Sequence, residues 1–345
     1  MAVQARFWEN GGNCKNNNFS VVLSKLEILR NSAELFQLIV LLRLDFLFSF
    51  VRRLTHLKNT MSSLLHLKSG LSRVISTRSV TSYQSNPDLA NALHKWTGGT
   101  VELTSSGSVA RLQLNRPEKS NCLSGEMMIQ FRQKAEELSS VAQCDVLVVE
   151  GIGRSFCSGA DLGLIEEIST SSLGSAMFRY MSGTLAKIHS SPLVSVARIN
   201  GHCLGGGSEI ASSCDLRFAH KNAKIGFLQA KMGIVPSWGG ATYLPSIVGR
   251  SSALHLMTTA PILSSDEAMD IGYVDAIYEE DEEFEDLVAS MTRNGAGVCK
   301  AQKAMLNALA RGEDAEHAVV RSVWGGAAQK AALQRQLAAV VNKKK

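Results

Sequence analysis

Residues 200–214, NGHCLGGGSEIASSC, decide the fold of this chain. Three glycines, 205–207, separate the apolar run 193–199 from a segment with helical character that begins near Ser208. A ligand can approach the backbone of such a turn because glycine has no Cβ. The free N–H groups at a helix start favour negative charge. The stretch therefore predicts an anion or oxyanion site followed directly by Glu209, with a tight strand-to-helix turn without chemistry as the alternative.

Charge is unevenly distributed along the 345 residues. The net charge of +5 divides into +4 for residues 1–60, +3 for 61–87 and −2 for 88–345. The main part of the chain therefore lacks the basic surface expected of a nucleic-acid-binding protein. The seven cysteines are scattered and include no CxxC pair, which predicts a reducing compartment, without a disulfide framework or a zinc site.

The amino-terminal region differs from the remainder. Residues 35–51 are apolar, but Arg43 and Asp45 interrupt them, so we do not expect them to span a membrane. Met61 opens a basic, serine-rich segment that resembles a mitochondrial transit peptide, and we hypothesise that Met61 is the working start. We divide the chain into four parts: an extension 1–60, a leader 61–94, a core 95–280 and a helical region 281–345.

From residue 99 onward, predicted strands alternate with helices. Residues 100–103 and 109–114 alternate apolar and polar side chains around a turn, which predicts a hairpin. Ser124 is predicted to cap a helix that runs to about Leu138. Further strands are predicted at 146–149, 193–199 and 225–227, and further helices at 176–188, after Ala241 and after Ser252. The alternation predicts an α/β domain whose sheets are largely covered by helices.

A second turn, SFCSGADL at 155–162, shares the design of the glycine turn. It follows the predicted strand 146–149 and contains Ala160. If the two turns lie side by side, the N–H groups of Ala160 and Gly206 can converge on one oxygen. Two such donors would stabilise a developing enolate.

Five motifs resemble the crotonase (enoyl-CoA hydratase/isomerase) superfamily over residues 95–340. They are NRPEKSNCLS (115–124), FCSGADL (156–162), NGHCLGGGSE (200–209), CDLR (214–217) and MGIVPSWGG (232–240). The resemblance implies an α/β crotonase fold of repeated ββα units with a helical carboxyl-terminal region. It also implies acyl-CoA thioester substrates and a homotrimer or a hexamer made of two trimers. No cofactor or metal is implied beyond the CoA of the substrate.

The same resemblance assigns site residues. It implies an oxyanion hole formed by the N–H groups of Ala160 and Gly206. The CoA adenine and pantetheine would lie along the backbone that includes Ser158, Asp161 and Leu162. Lys119 would lie near the CoA phosphates, with an ordinary solvated lysine as the alternative.

Position 229 separates two reaction types. A hydratase uses two carboxylates, one as base and one as acid; Glu209 matches the first, but Gln229 occupies the position of the second. The motifs NCLSGEMM (121–128), MGIVPSWGG and SVWGG (322–326) are instead similar to the branch that decarboxylates ethylmalonyl-CoA and, less well, methylmalonyl-CoA. The chain departs from that branch in Ala160, where serine is usual, and in Gln229, where histidine is expected. The acidic run 279–286 is predicted to be a solvated helix face.

Decarboxylation needs an electron sink for the breaking carbon–carbon bond, and the thioester carbonyl provides it if its oxygen is stabilised as an enolate. Glu209 would return a proton to the α-carbon if burial raises its pKa; water or a tyrosine is the alternative proton donor. If Glu209 has no catalytic role, it would be a solvated acid in the first turn of the helix, stabilised by the helix dipole. Trp238 would form a pocket wall, unless it is ordinary core packing. The remaining expected contacts are Leu228 and Val235 as further walls, and Ser237 and Gln229 as groups that orient the substrate carboxylate.

The expected role is metabolite proofreading, the removal of malonyl-type side products. The expected partners include neither nucleic acid nor membrane. The expected location is the cytosol, with the mitochondrial matrix as the alternative. Two other functions remain open: an enoyl-CoA hydratase or isomerase, and a non-catalytic homologue that binds acyl-CoA or RNA.

Overall fold

The computed structural model describes residues 86–312 and 316–342. The predicted extension 1–60, with its apolar run 35–51, lies outside the described residues, as does most of the leader 61–94. The boundaries proposed for these segments therefore stay predictions. Among the described residues, no helix has both the length and the apolarity that crossing a membrane would need.

The larger of two sheets has six strands in the order β1-β2-β3-β5-β7-β10. β1 and β2 form an antiparallel hairpin, and the remaining neighbours are parallel. The strands are β1 Thr100–Ser106, β2 Val109–Asn115, β3 Val146–Gly151, β5 Val194–Ile199, β7 Leu216–His220 and β10 Ala276–Tyr278.

The smaller sheet has four strands in the order β4-β6-β8-β9. β4, β6 and β8 are parallel, whereas β9 is antiparallel to β8. The strands are β4 Ser155–Cys157, β6 His202–Leu204, β8 Lys224–Gly226 and β9 Leu263–Ser264. β3 and β5 are each followed, after a turn, by a strand of this sheet, so the chain passes repeatedly from the larger sheet to the smaller one.

Eleven α-helices lie in the described ranges. They are α1 Pro87–Lys95, α2 Gly125–Glu136, α3 Leu162–Glu167, α4 Ser171–Ser190, α5 Gly206–Ser213, α6 Gly240–Thr259, α7 Ser265–Asp270, α8 Asp281–Thr292, α9 Val298–Ala310, α10 Glu316–Val323 and α11 Ala327–Asn342. Short 3-10 helices occur at Pro117–Lys119, Glu137–Val141 and Leu228–Met232.

The local predictions are largely confirmed. The hairpin forms, and the Met127 N–H donates to Ser124 Oγ at 3.1 Å as the predicted cap requires. The α2 helix ends at Glu136, where a 3-10 turn replaces the last turn expected up to Leu138. The helix after the glycines starts at Gly206, earlier than expected, because Gly205 makes the turn with a φ of 56°. Residues 155–157, expected in a turn, form the separate strand β4.

The central strand β3 of the larger sheet is buried on both faces. Because side chains alternate along β3, Leu147 and Val149 enter the main apolar cluster, whereas Val146 and Val148 enter a smaller one. The smaller cluster also contains Phe284 of α8. Helices thus cover both sides of the parallel strands, as the α/β prediction required.

The ends of the described core have different surroundings. Leu89 and Leu93 of α1 are buried in the main cluster, so the last residues of the predicted leader pack with the core. In α8, the acidic residues 281–283 are exposed and Phe284 is buried, which confirms the solvated acidic face. Trp324 lies between α10 and α11 with 74% of its surface exposed.

Candidate active site

The two predicted turns lie side by side. β4 and β6 are parallel neighbours with Cys157 opposite Cys203, so both strands end at the same edge of the smaller sheet. A Cβ placed on Gly159 would lie 3.1 Å from the backbone nitrogen of Gly206. The absence of a Cβ at Gly159 therefore allows the two turns to approach closely. Gly159 also has a φ of 100°, a conformation that favours glycine.

The two predicted donor N–H groups are free. The Leu123 N–H donates to Gly159 O at 2.8 Å, and the Asp161 N–H donates to Leu123 O at 2.9 Å. Since backbone groups alternate in an extended segment, the N–H of Ala160 points away from Leu123. Gly206 begins α5, and the first N–H groups of a helix have no intrahelical acceptor. Neither N–H donates to any other residue in the described part of the chain, so both can serve a ligand.

Trp238 closes one side of the glycine turn. Its side chain is 3% exposed, and a Cβ on Gly206 would lie 2.6 Å from its Cε3 atom. The indole ring therefore packs directly on the α-carbon of Gly206. The tryptophan belongs to the core and at the same time borders the predicted oxyanion site.

Glu209 is buried and fully hydrogen-bonded. Its carboxylate oxygen Oε1 accepts from the N–H groups of Trp238 at 2.6 Å and Gly240 at 2.9 Å. The other oxygen, Oε2, accepts from Gln229 Nε2 at 2.8 Å and from the Ser237 N–H at 3.3 Å. The solvated first-turn acid is thus excluded, since only 1% of the residue is exposed.

Burial and hydrogen bonding act on Glu209 in opposite directions. Burial raises the pKa of its carboxyl group above the ordinary value, while the donors on Gly240, Trp238 and Gln229 oppose the rise. The Gln229 nitrogen donates to Glu209, and the expectation that Gln229 orients a substrate carboxylate stays a prediction. Its carbonyl oxygen is buried and has no hydrogen-bond partner within the described ranges.

The predicted CoA-binding residues lie along one edge but differ in their contacts. Lys119 is exposed, and its backbone oxygen lies 3.5 Å from Ser158 Oγ. Leu162 is 67% exposed. Asp161 caps α3 through the Gly163 N–H at 3.1 Å and pairs with Arg116 at 2.8 Å.

Arg116 was not predicted from the sequence as part of this site. It is 9% exposed and links the NRPEKS segment to the second turn through Asp161. Burial raises the pKa of Asp161, but Arg116 and the Gly163 N–H outweigh it, so the pKa lies below its ordinary value. The sequence does show an arginine directly before a proline at the end of a predicted strand. Its positive charge alone does not reveal that Asp161 is its partner.

The remaining expected contact residues lie in the two chain segments that donate hydrogen bonds to Glu209. Ser237 is half-buried and contributes its N–H, Leu228 is half-buried at the start of a 3-10 helix, and Val235 is 74% exposed.

A separate cavity of about 610 Å³ lies at the start of β4 and β6, lined by Arg154, His202 and neighbouring residues. It contains none of the predicted site residues. In the described part of the chain, no group of three or more His, Cys, Asp or Glu side chains is arranged to hold a metal ion.

The part of the chain that contains these turns matches a known family in sequence. The model of the family described as enoyl-CoA hydratase/isomerase matches residues 104–339. The chain belongs to the enoyl-CoA hydratase/isomerase (crotonase) family. One relative in this family, ethylmalonyl-CoA decarboxylase of Bos taurus, is 33% identical over 261 residues, which cover 72% of this chain and 85% of the bovine protein.

Solved crotonase structures share the fold. Enoyl-CoA hydratase from Thermoplasma volcanium superposes with a TM-score of 0.61 and 28% identity, covering 68% of this chain and 96% of that one. A Thermobifida fusca protein, described as an enoyl-CoA hydratase and solved in complex with acetoacetyl-CoA, gives a TM-score of 0.57 and 26% identity. It covers 72% of this chain and 98% of its own. The predicted crotonase fold is therefore confirmed.

Proposed function

We propose that this crotonase is a carboxy-lyase that converts ethylmalonyl-CoA, and less well methylmalonyl-CoA, to the acyl-CoA and CO2. Similarity to the bovine ethylmalonyl-CoA decarboxylase supports this substrate class. The observation that carries the proposal is the contact of Glu209 with Gln229 at 2.8 Å. An amide occupies the place of the second carboxylate that hydration needs, so the usual acid–base pair is absent.

The chemistry then depends on the two free N–H groups. The thioester oxygen accepts hydrogen bonds from Ala160 and Gly206, and the carbon–carbon bond to the carboxylate breaks. Its electron pair forms the enolate, and CO2 leaves. Each well-placed oxyanion donor contributes about 3–4 kcal/mol to such a transition state. Trp238 and Leu228 exclude water around the departing carboxylate, which favours the loss of its charge.

Contacts with CoA extend from the same edge. Ser158, Asp161 and Leu162 belong to the second turn, beside the glycine turn, and Lys119 is exposed next to Ser158. Lysine is a suitable point charge for a phosphate group. We assign the CoA phosphates to the surroundings of Lys119 and the pantetheine to the chain around Ala160.

The direct test is a product assay with purified protein and three substrates. Ethylmalonyl-CoA should release CO2, methylmalonyl-CoA should do so more slowly, and crotonyl-CoA should remain unhydrated. Hydration of crotonyl-CoA without CO2 from ethylmalonyl-CoA would assign the chain to the hydratases. Binding of CoA thioesters without turnover of any of the three would indicate a non-catalytic homologue.

The cellular role proposed here is proofreading, in which the enzyme destroys malonyl-type side products of promiscuous carboxylation in the cytosol. The mitochondrial matrix is the alternative location because the leader is basic, and imaging of the tagged full chain distinguishes the two locations.

We propose a homotrimer or hexamer, supported by exposed apolar side chains such as Leu306 at 67% and Trp324 at 74%. Light scattering of the full chain measures the assembly.

A further inference from the structure

We propose that Glu209 is a positioning residue, which holds Trp238 against the oxyanion turn and does not exchange a proton with the substrate. The proposal deepens the decarboxylase function proposed above and rests on it for the role of the oxyanion turn. It departs from the proton-donor role that the sequence suggested for Glu209.

The Glu209 carboxylate lies between two segments of the site. Glu209 lies three residues after Gly206, on the first turn of α5. Its side chain reaches the turn that precedes α6 and accepts the N–H groups of Ser237, Trp238 and Gly240. One carboxylate therefore joins the glycine turn to the segment that carries the tryptophan.

These two segments fit closely against each other. A Cβ on Gly240 would lie 3.1 Å from Glu209 Oε1, so this turn lies flat against the carboxylate. The bond to the Trp238 N–H, at 2.6 Å, is the shortest of the four. Because the indole packs on Gly206, any movement of the carboxylate moves the wall of the oxyanion site.

The lone pairs of the Glu209 carboxylate are all occupied. An ionised carboxylate offers about four acceptor positions, and four N–H donors occupy them here. Three of these donors are backbone groups, which cannot turn to accept a proton. A proton on Oε1 would face two N–H groups and break one of the bonds. These hydrogen bonds thus oppose the protonation that burial favours, and they leave no lone pair for a substrate or a water molecule.

Gln229 completes this arrangement. A carboxylate at position 229 would place a second negative charge 2.8 Å from Glu209, which raises the pKa of one member of such a pair. The neutral amide donates instead. Its unpaired carbonyl oxygen remains available to accept a hydrogen bond from a bound water. Water then supplies the proton to the α-carbon of the enolate, and solvent neutralises the hydroxide ion that remains.

The first arm of the test needs no substrate. Protein labelled with 5-fluorotryptophan gives a 19F signal for Trp238, which the variant Trp238→Phe identifies. Glu209→Gln, which places an amide NH2 group against backbone N–H donors, should shift that signal. The matched control is Glu267→Gln, since Glu267 also accepts a backbone N–H, from Ser264 at 2.8 Å, but is exposed. An unmoved Trp238 signal in Glu209→Gln overturns the proposal.

The second arm is a double-mutant cycle on CO2 release. Glu209→Gln should lower kcat by about 100-fold, the effect of misplacing one oxyanion donor, with a smaller change in KM. In a Trp238→Ala background the same substitution should cost less than about twofold, because coupled effects are not additive. Losses that multiply would show that Glu209 acts independently of Trp238. Trp238→Leu replaces the alanine variant if that variant does not fold.

The pH profile separates positioning from acid catalysis. A proton donor at position 209 would give wild-type kcat a basic limb that disappears in Glu209→Gln. A positioning carboxylate gives kcat of the wild type an acidic limb instead, because its protonation breaks one of the four hydrogen bonds. The Glu209→Gln variant has a lower kcat and lacks that limb. Failure of the wild type to release CO2 would reject the proposed function alone, since the 19F arm still reports on the contact between Glu209 and Trp238.

Discussion

The indole of Trp238 covers the α-carbon of Gly206, the residue whose N–H faces the proposed enolate. A Cβ at position 206 would lie 2.6 Å from Cε3 of that ring. The two residues are far apart in the sequence, and the Glu209 carboxylate brings the tryptophan to the turn. The packing contact and the proposed oxyanion donor thus belong to one residue, so a substitution at Gly206 is expected to affect both stability and turnover.

Gly206→Ala should therefore lower both activity and stability. The added methyl group must displace the Trp238 ring, and overpacking of this kind costs about 1–3 kcal/mol of unfolding free energy. Displacement of the N–H should reduce CO2 release by about 100-fold. Urea unfolding and the product assay measure the two effects. The control is Gly174→Ala on α4, where a Cβ meets no atom within 4 Å. Normal activity in Gly206→Ala would contradict the proposed oxyanion role.

Asp161→Asn should weaken the junction between the second turn and β2. The substitution removes the charge that faces Arg116, whose side chain is 10% exposed, against 16% for Asp161. The expected loss is about 1–2 kcal/mol, between the values for exposed and buried pairs. Lys134→Ala, which removes a more exposed ion pair with Glu137, should change stability by less than about 0.5 kcal/mol.

The pH dependence of this pair has a definite sign. Because the pKa of Asp161 is lowered in the folded chain, its stabilising contribution is present above about pH 3.9, the ordinary aspartate value, and is lost as the pH falls through the lowered pKa. Acid unfolding curves should show this loss in the wild type and not in Asp161→Asn. Identical acid limbs in both proteins would show that the pair contributes nothing.

His189 should destabilise the fold in mild acid. Burial lowers its pKa, and Lys303 lowers it further, while Asp215 and the carbonyl of Ser213 oppose the shift. Since the unfolded chain binds the proton more readily, stability should fall as the pH drops below about 6.5, by up to about 1.4 kcal/mol per pH unit. His189→Gln should flatten this slope, whereas His255→Gln, at an exposed position, should leave it unchanged.

Thiol labelling should distinguish Cys122 from the cysteines beneath the site. Burial raises the pKa of Cys157 and of Cys214 to about 12, and both side chains are inaccessible. Cys122 is half-buried. At pH 8, mass spectrometry should find iodoacetamide on Cys122 before Cys157 or Cys214 reacts. Early modification of Cys157 would show that the smaller sheet opens in the native protein.

Lys119→Ala should raise the KM for CoA thioesters several-fold and leave kcat nearly unchanged. A contact with the CoA phosphates stabilises the bound substrate and the transition state equally. Steady-state kinetics measures both constants. The control is Lys95→Ala, because Lys95 is also exposed but pairs with Glu167. An unchanged KM would leave Lys119 as an ordinary solvated lysine.

Local features of this fold could be predicted from the sequence because they depend on neighbouring residues. Ser124 caps α2, Gly205 forms the turn before α5, and the alternation in β1 and β2 produces the hairpin. Strand β4 was missed because three residues carry too little periodicity to separate a strand from a turn. Its pairing with β6 makes it a strand.

The sequence by itself determined the family, the α/β pattern and the two glycine turns, because motif order and side-chain periodicity are local properties. The tertiary structure decided what those turns face. It brought Gly159 against Gly206, placed Trp238 on the latter and surrounded Glu209 with four donors. A charged residue can be recognised in a sequence, but the donors that occupy its lone pairs come from segments 20 to 31 residues away and meet it only when the chain folds.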